Sequence, residues 1–513
     1  MLPELQSIIL QPLTTLPFIL FVIFLYRCLY SKPDGRKNLP PSPPKLPIIG
    51  NLHQLGTHPH RFLQSLSKKH GELMLIHIGS APALVVSSPR AVHEVLIAND
   101  ITFANRPISK KGRTLLYNGR DVAAAPYGEY WRQMRSVCVF HLLSNTMVRS
   151  FQRVREEETS LMIEKIYDNG SLPVNLSEML MNLTNDIVCR VAFGRKYREK
   201  EHGINFNKLI KDYMKVLGEF NVGDFISWLA WIDKVNGLDA KVGRIATEFD
   251  QFLEKIVAEH EERRDEGRNC DDGGNDEVKD FVDVLLDLQK DASKVRFAMD
   301  RDSIKALILD MFTGGTDTTS TLVEWAISEL LRHPKIMQDL QEEIRKVTAG
   351  KNKVDEEDLE KMKYLKAVIK ETLRLHPSAP LLAARLSSRD AKIFGYDIPA
   401  GTAVVTNAWA IHRDPANWNE PESFNPDRFM NSNIDFRGQD FQFIPFGAGR
   451  RICPGIVFAI VNSELVLASL MHKFDWRLPD GADSQTLDMS ECFGLTMSRK
   501  TPLLAVAVAP NCN

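Results

Sequence analysis

The first hydrophobic segment of the chain contains no charged residue between Glu4 and Arg27, and its centre is the run LPFILFVIFL at 16–25. A helix needs about 20 mainly apolar residues to cross a lipid bilayer. A cleaved signal peptide would have a basic start and small residues at its cleavage site, whereas this segment has Glu4 and bulky Tyr26 at those places. A core helix is the other alternative, but a proline-rich stretch follows at once. The pattern therefore predicts an uncleaved membrane anchor at 1–30.

The proline-rich stretch LPPSPPKLP at 39–47 separates the anchor from the rest of the chain. Prolines at this density favour an extended polyproline II spacer. Basic residues lie between the core of the anchor and the prolines: Arg27, Lys32, Arg36 and Lys37. The positive-inside rule then leaves the bulk of the chain on the cytosolic side of a membrane. We expect a hinge at 31–50 and one folded domain at 51–513.

Beyond the hinge, strand-like patterns occur in two places, and each is a predicted β-hairpin. Apolar runs at 74–78 and 83–87 flank the turn sequence Gly-Ser-Ala-Pro. Runs at 392–398 and 402–407 flank Pro-Ala-Gly in the same way. Nearly all of the remaining pattern is helical, so the predicted fold class is mainly α with small β-sheets.

The longest predicted helix extends from Asp302, which is a suitable N-cap, to Arg332, shortly before Pro334. At 1.5 Å per residue it would be about 45 Å long. Gly314 and Gly315 interrupt its middle, and each costs about 1 kcal/mol relative to alanine. Both a functional opening and a simple packing notch would explain them.

Two other segments are read from their polarity. The stretch at 261–280 has runs of charge and a Gly-Gly pair, which is typical of an exposed loop. Trp228 and Trp231 lie in the apolar run at 224–232. We interpret this run as part of the core, with a surface that dips into the membrane as the alternative, because tryptophan favours the lipid–water boundary.

Composition excludes some classes of protein. Lys and Arg number 64 against 66 Asp and Glu, a net charge of -2, and bulk nucleic-acid binding would need a basic excess. The seven cysteines include no pair at Cys-x-x-Cys spacing, so a zinc site or a disulfide framework is not expected and a reducing compartment is. Each cysteine alone would be interpreted as a small buried hydrophobic residue.

One cysteine has a different setting, in the segment FGAGRRICPG at 446–455, which precedes a predicted helix at 456–470. Glycines let the backbone fold closely around a sulfur atom, and Pro454 suits the first turn of a helix. The free N–H groups at the helix start should lower the pKa of the Cys453 thiol. We therefore expect Cys453 to be a thiolate that binds a metal.

Two further sets of residues are weak signals individually. Glu371 and Arg374 are three residues apart on the predicted helix 364–375, a spacing that is common on solvated helix faces. Arg428 lies in the segment FNPDRF at 424–429. These three residues are called the Glu371 triad below.

Together these motifs resemble those of the cytochrome P-450 family, in the same order along the whole chain. FGAGRRICPG at 446–455 resembles the haem-binding signature, the Glu371 triad resembles the structural Glu–Arg–Arg set, and GGTDT at 314–318 resembles the oxygen-activation motif. WRQMR at 131–135 resembles the C-helix motif. The hinge and the Thr-Asp-Thr sequence are most similar to plant A-type microsomal members.

The resemblance implies a large helical domain that binds haem b, with Cys453 as the axial thiolate ligand and Phe446 packed beside it. Arg451 would join Trp131 and Arg135 at the haem propionates. The Glu371 triad would be structural and would support the loop that carries the ligand.

The resemblance also implies two catalytic residues. Thr318 would hydrogen-bond bound oxygen, and Asp317 would relay protons. Substrate contacts are expected from 108–125, Leu309, Phe312, Thr313, 381–384 and 493–495. The chain departs from the plant branch at Ser378 and Ala384, where proline is common, and at Gly314, where alanine is usual.

The implied activity is that of an NADPH- and O2-dependent monooxygenase, anchored by one helix in the endoplasmic reticulum membrane with its catalytic domain in the cytosol. Electrons would come from NADPH through a flavoprotein reductase, which docks near Arg132 and Arg450. The substrate would be a small hydrophobic plant metabolite, most simply hydroxylated; terpenoids, phenylpropanoids or coumarins, and alkaloids all remain open. The alternatives are a haem-thiolate isomerase or dehydratase, whose members tend to lack the acid–threonine pair, and an anchored haem protein for binding or sensing.

Overall fold

The computed structural model describes residues 38–197, 206–265, 278–291 and 299–510. The predicted anchor at 1–30 lies outside the described residues, as does the middle of the predicted loop at 261–280. The α-helices of the described part, in chain order, are α1 Pro59–His70, α2 Pro89–His93, α3 Lys110–Leu115, α4 Glu129–Val137, α5 Asn145–Ser150, α6 Gln152–Asp168, α7 Leu176–Phe193, α8 Phe206–Gly218, α9 Val222–Phe225, α10 Ile232–Val235, α11 Leu238–Asp265, α12 Phe281–Lys290, α13 Arg301–Gly315, α14 Asp317–Arg332, α15 Pro334–Val347, α16 Glu356–Leu359, α17 Lys363–Leu375, α18 Ala408–Ile411 and α19 Ile456–Lys473.

The strands are short and form small sheets at the periphery of the helices. They are β1 Leu73–Ile78, β2 Ala81–Val86, β3 Pro173–Asn175, β4 Arg385–Leu386, β5 Ala391–Ile393, β6 Tyr396–Ile398, β7 Ala403–Thr406, β8 Asp475–Arg477, β9 Glu491–Phe493, β10 Met497–Arg499 and β11 Leu504–Val508. The sheets have the strand orders β1-β2-β7-β4, β3-β11-β8, β10-β9 and β5-β6. The architecture is therefore mainly α with small sheets, as the sequence predicts.

The largest hydrophobic core lies where α14 packs between α7 and α19. Trp325, on α14, is completely buried there. Helix α19 is long and apolar enough to cross a membrane by length and composition, but most of it is buried inside the protein. It is therefore a core helix, since its apolar surface already contacts other helices.

The first predicted hairpin is confirmed, because β1 pairs with β2 in antiparallel register around the turn at Gly79. The second prediction is wrong. The run at 392–398 folds back on itself as β5 and β6 through Phe394 and Gly395, which both have positive φ, as a tight hairpin turn requires. The run at 402–407 contains β7, which instead pairs with β2 in parallel and with β4.

The long predicted helix is present as two helices, α13 and α14, that meet at Thr316. Its N-cap lies two residues earlier than expected, because the side chain of Asp300 rather than that of Asp302 caps it by accepting the Ser303 N–H at 2.9 Å. It ends at Arg332 as predicted. The longest uninterrupted helix of the described residues is α11, with 28 residues.

The predictions made from the polarity of segments 261–280 and 224–232 are wrong in part. The predicted loop at 261–280 begins inside α11, which continues to Asp265, and ends at Asp280, the buried N-cap of α12 that hydrogen-bonds His260. The tryptophans are not core residues, since Trp228 is 65% and Trp231 57% exposed. They lie in the short turns between α9 and α10, which leave one side of the apolar run facing outward.

Candidate active site

A cavity of about 360 Å³ opens between α13, α14, the chain segment before α4 and the segment before α19. Its walls are mainly apolar. The predicted site residues that line it are Trp131, Arg135, Thr318, Phe446, Arg451 and Cys453. Asp317 is the predicted site residue that does not line it. The fold thus brings together residues that are more than 300 positions apart in the chain.

Cys453 is presented by a tight loop between Phe446 and Gly455. The Cys453 N–H donates to the Phe446 carbonyl at 3.0 Å, and the Gly455 N–H donates to Cys453 Sγ at 3.3 Å. Gly449 has a φ of +67°, and a Cβ there would lie 2.2 Å from the Leu96 carbonyl oxygen. Only glycine fits this close approach. Pro454 lies just before α19 rather than in its first turn.

The expected low pKa of the free Cys453 thiol is wrong. Burial raises its pKa, and the Gly455 N–H and the positive charge of Arg135 reduce that effect without reversing it. Removal of the sulfur from water penalises the thiolate more than one N–H and one cation favour it. A bound metal ion would supply the charge that deprotonates a coordinating thiol.

A second cysteine, Cys138, also lines the cavity, which sequence reasoning missed. It lies at the start of a π-helical turn that follows α4. Burial raises the pKa of its thiol to about 12. The one available signal was its position seven residues after Trp131, which places both on the same face of the helix.

Arginine side chains gather along one edge of the cavity: Arg106, Arg135, Arg385 and Arg451. Arg385 pairs with Asp100 at 2.9 Å. Burial, followed by the charges of neighbouring arginines, lowers the pKa of Arg106 and of Arg451 to about 9. Arg135 makes no hydrogen bond or ion pair with the described part of the chain. Such a surplus of positive charge next to an apolar space is suited to the carboxylates of a bound group.

Backbone carbonyl groups of the loop before α4 accept hydrogen bonds from Trp131 and Arg451. Trp131 Nε1 donates to the Val122 carbonyl at 3.1 Å. Arg451 donates to Val122 at 3.2 Å and to Ala104 at 2.8 Å, and also to Ala125. Its guanidinium lies 4.1 Å from the centre of the Trp131 ring.

Two buried carboxyl groups, that of Asp310 on α13 and that of Asp121 within the loop, also bind backbone N–H groups of this loop, and neither was predicted from the sequence. Asp310 Oδ2 accepts the Val122 N–H at 2.6 Å, and Asp121 Oδ2 accepts the Ala124 N–H at 2.9 Å. Burial raises the pKa of Asp121 to about 6 and that of Asp310 well above its usual range, where the charge of Asp121 adds to the effect. The signal in the sequence was an acidic residue inside the apolar run ALILDMF.

The double glycine opens the long helix beside the cavity. The helix breaks at Thr316, and Thr318 Oγ1 donates to the Gly314 carbonyl at 2.5 Å. A Cβ at Gly314 would meet no atom within 4 Å, whereas one at Gly315 would lie 3.1 Å from Val188 Cγ2. The notch therefore has open space on the side of Gly314 and a hydroxyl group at its edge.

Asp317 follows this notch on α14 but does not line the cavity. Its Oδ2 accepts a hydrogen bond from the hydroxyl of Thr496, in the turn between β9 and β10. Burial raises the pKa of Asp317, and the hydrogen bond from Thr496 partly opposes that rise.

The Glu371 triad is assembled as the resemblance implies. Arg374 Nε and Nη2 donate to the two Glu371 carboxylate oxygens at 2.7 and 2.8 Å, and Arg428 Nε donates to Oε1 at 3.0 Å. Glu371 and Arg374 are both completely buried. Arg374 also binds the carbonyls of His412, Pro421 and Ser423, so it ties α17 to the segment that precedes the Cys453 loop.

The expected substrate contacts are only partly present on the cavity wall. Val122, Ala123, Thr313, Leu382 and Ala383 line it. Other expected contacts pack elsewhere: Phe312 stacks on Phe193 in the core, and Phe493 stacks on His60.

An apolar cavity with one loop-borne sulfur and an arginine-rich edge fits a planar, apolar metal cofactor that carries carboxylates, as haem b does. The fold and site thus define a haem-thiolate protein. The sequence model of the cytochrome P450 family matches residues 40–506, and the chain belongs to that family.

Relatives of this chain are found among plant enzymes. It is 52% identical over 508 residues to cytochrome P450 736A117 of Prunus mume, covering 98% of this chain and 97% of that protein. It is 49% identical over 510 residues to norfluorocurarine oxidase of a Strychnos species, covering 98% and 99% of the two chains. A solved zebra fish cytochrome P450 with progesterone superposes with a TM-score of 0.75 at 25% identity, covering 88% of this chain and 99% of that one.

Membership of the family establishes the class of reaction. The chain is a monooxygenase that uses haem with a cysteine thiolate ligand and electrons from NADPH, delivered by a reductase. Its substrates are hydrophobic. These statements confirm the fold, the enzyme class and the cofactor that the sequence resemblance implies.

Proposed function

We propose that this enzyme hydroxylates a small hydrophobic plant specialised metabolite, with Cys453 as the axial ligand of haem b. The observation that carries the proposal is the cavity itself, because Cys453 and the Thr318 notch line the same mainly apolar space. When bound, haem b supplies the binding and activation of O2.

Cys453 is preferred to Cys138 as the ligand because of their surroundings. The sulfur of Cys453 accepts the Gly455 N–H at the start of α19, which favours the thiolate. Cys138 lies within a continuous helical segment, where the backbone N–H groups are already used. Its pKa of about 12 also makes the thiolate costly.

The cofactor would be held by contacts at its rim and its face. The guanidinium of Arg135, which has no partner among the described residues, would lie at the propionates. The indole ring of Trp131, which is stacked with Arg451, would lie there too. Phe446 would pack beside the sulfur, on the same side as the glycine loop.

Two residues of α14 would handle protons. The Thr318 hydroxyl, which donates to Gly314 at 2.5 Å, is free to accept a further hydrogen bond at the cavity wall. Asp317 follows the helix break, and burial raises its pKa, so its carboxyl group takes up a proton more readily than an exposed one.

The similar plant enzymes and the lining of the cavity favour some classes of substrate over others. The Strychnos relative is named as an oxidase of norfluorocurarine, which favours an alkaloid. Terpenoids and phenylpropanoids or coumarins also suit an apolar wall. The carboxyl group of Asp310 is a polar feature of that wall, and it would favour a substrate with a hydrogen-bond donor.

The cellular setting would be the cytosolic face of the endoplasmic reticulum membrane. Residues 1–30 would form the anchor and 31–50 the hinge, with the catalytic domain at 51–513. Exposed Trp228 and Trp231 would contact lipid. Arg132 and Arg450 are exposed enough to contact a reductase, although each has an acidic neighbour.

Incubation with reductase, NADPH and a panel of alkaloids, terpenoids and coumarins tests the reaction. We expect a product that is heavier by one oxygen atom and that requires both NADPH and O2. Thr318→Ala should release more hydrogen peroxide per NADPH oxidised. Turnover without NADPH would instead support the isomerase or dehydratase alternative.

A cysteine pair tests the ligand. Cys453→Ser should lose the red-shifted band of the reduced CO complex that a thiolate ligand produces, while Cys138→Ser should retain it. A Cys453→Ser protein that keeps this band would overturn the assignment.

A further inference from the structure

Asp317 is held by a residue far away in the sequence. The one side-chain hydrogen bond that Asp317 makes with the described part of the chain comes from the Thr496 hydroxyl, 179 positions later. Both residues are shielded from solvent, and Thr496 is only 8% exposed. The orientation of the Asp317 carboxylate therefore depends on the β9–β10 hairpin as well as on its own helix.

The hairpin is itself attached to α14 and to the cavity wall. Trp325 Nε1, two turns after Asp317 on α14, donates to the Met497 carbonyl at 2.9 Å. The Met497 N–H donates to the Ser378 carbonyl at 2.8 Å, and Ser378 lines the cavity. Within the turn, the Gly494 N–H donates to the Thr496 carbonyl at 3.1 Å. Thr496 is thus fixed in position before it contacts Asp317.

The hydroxyl of Thr496 opposes the effect of burial on the pKa of Asp317. Glu324 lies on the same face of α14 and the charge of Asp317 contributes to its raised pKa, while its own partners are Ser177 and Arg499. Burial raises the pKa of Asp317, and the Thr496 hydrogen bond lowers it. Without that donor, the carboxylate would be buried with no compensating side-chain hydrogen bond from the described residues.

We propose that Thr496 is a positioning residue that holds the Asp317 carboxylate in its proton-relay orientation. This inference rests on the proposed relay role of Asp317. It adds a second segment, the β9–β10 hairpin, to the machinery that the oxygen-activation motif alone would define. A ligand that displaces this hairpin would then alter proton delivery without touching Asp317.

The test uses the full-length holoenzyme with its reductase, NADPH and O2. Thr496→Val removes the hydroxyl at nearly constant volume, Thr496→Ser retains it, and Asp317→Asn removes the acid. Thr501→Val is the matched control, because Thr501 is exposed and bonds Asp488. The readouts are the rate of NADPH oxidation, its ratio in H2O and D2O, and its pH profile.

We expect Thr496→Val to slow NADPH oxidation about tenfold, the effect of losing one hydrogen bond to a charged group. It should also increase the D2O ratio and move the apparent pKa of the profile upward, as the loss of a donor to the carboxylate requires. Thr496→Ser and Thr501→Val should match the wild type. An unchanged CO band would show that the haem site is intact, and Thr496→Ala replaces Thr496→Val if the latter does not fold.

Each outcome has a distinct meaning. Normal rates and D2O ratios in Thr496→Val, with a defect in Asp317→Asn, would overturn this inference and leave the proposed function standing. Normal behaviour in Asp317→Asn would refute the relay role itself. A defect in Thr496→Ser equal to that in Thr496→Val would show that the hydroxyl is not the cause, and would also overturn the inference.

Discussion

Replacement of Glu371 by glutamine removes the negative charge from a completely buried ion pair. Glu371 accepts hydrogen bonds from Arg374 at 2.7 and 2.8 Å, from Arg428 at 3.0 Å and from the Asn425 N–H at 2.8 Å. A glutamine side chain has one acceptor oxygen, and its NH2 group would face an arginine donor. The variant would therefore leave the Arg374 charge buried without a counter-charge.

The size of the effect follows from this burial. Breaking a buried pair by removing one partner costs about 3–5 kcal/mol. The exposed pair of Arg244 and Glu248, with N–O distance 3.1 Å, is an i,i+4 contact on α11, and such contacts contribute about 0.3–0.5 kcal/mol. Glu248→Gln is thus a chemically matched control with an effect roughly ten times smaller.

The assay is thermal inactivation of the full-length holoenzyme in detergent, followed by the CO band and by helical circular dichroism. We expect the midpoint of Glu371→Gln to fall by several degrees, and the CO band to be lost before the helical signal because the triad supports the ligand loop. The midpoint of Glu248→Gln should stay close to that of the wild type. Equal midpoints for the two variants would refute the argument from burial.

Two other variants test the helix notch and a buried acid. Gly314→Ala should raise the free energy of unfolding by up to about 1 kcal/mol through helix propensity, and so raise the thermal midpoint, because a Cβ there meets no described atom within 4 Å. Gly315→Ala should not raise the midpoint, because its Cβ would lie 3.1 Å from Val188. The opposite ranking of the two variants would contradict the geometry. Burial raises the pKa of Glu464 from 4.5 to about 7, so between these values the folded state binds more protons and stability should fall as pH rises. In Glu464→Gln, thermal midpoints measured between about pH 5 and about pH 8 should lose most of this slope, and a slope equal to that of the Glu248→Gln control would refute the assignment.

Local patterns in the sequence were sufficient for much of the architecture. Hairpin β1–β2, helix α17 and helix α19 were predicted to within a few residues. Their hydrophobic period and turn residues are properties of neighbouring positions, which do not depend on the rest of the fold. The Cys453 loop was found for the same reason, since glycines, cysteine and the following helix are contiguous.

Predictions made from local pattern alone failed, or were never made, where the outcome depended on distant segments. The strand at β7 pairs with β2, more than 300 residues earlier, and not with its neighbour in sequence. Trp228 and Trp231 are exposed because no described segment of the chain covers the turns that carry them. Local pattern shows that a residue is apolar, but only packing decides whether another element covers it.

The sequence by itself determined the family, the mainly helical fold and the set of residues able to carry the chemistry. The tertiary structure decided how those residues are held: Asp310 on the loop that binds Trp131, and Thr496 on Asp317. It also decided that burial raises the pKa of Cys453, contrary to the expectation from its helix. Hydrogen bonds and desolvation arise from three-dimensional neighbours, and these can lie far away in the chain, as Thr496 lies 179 positions after Asp317.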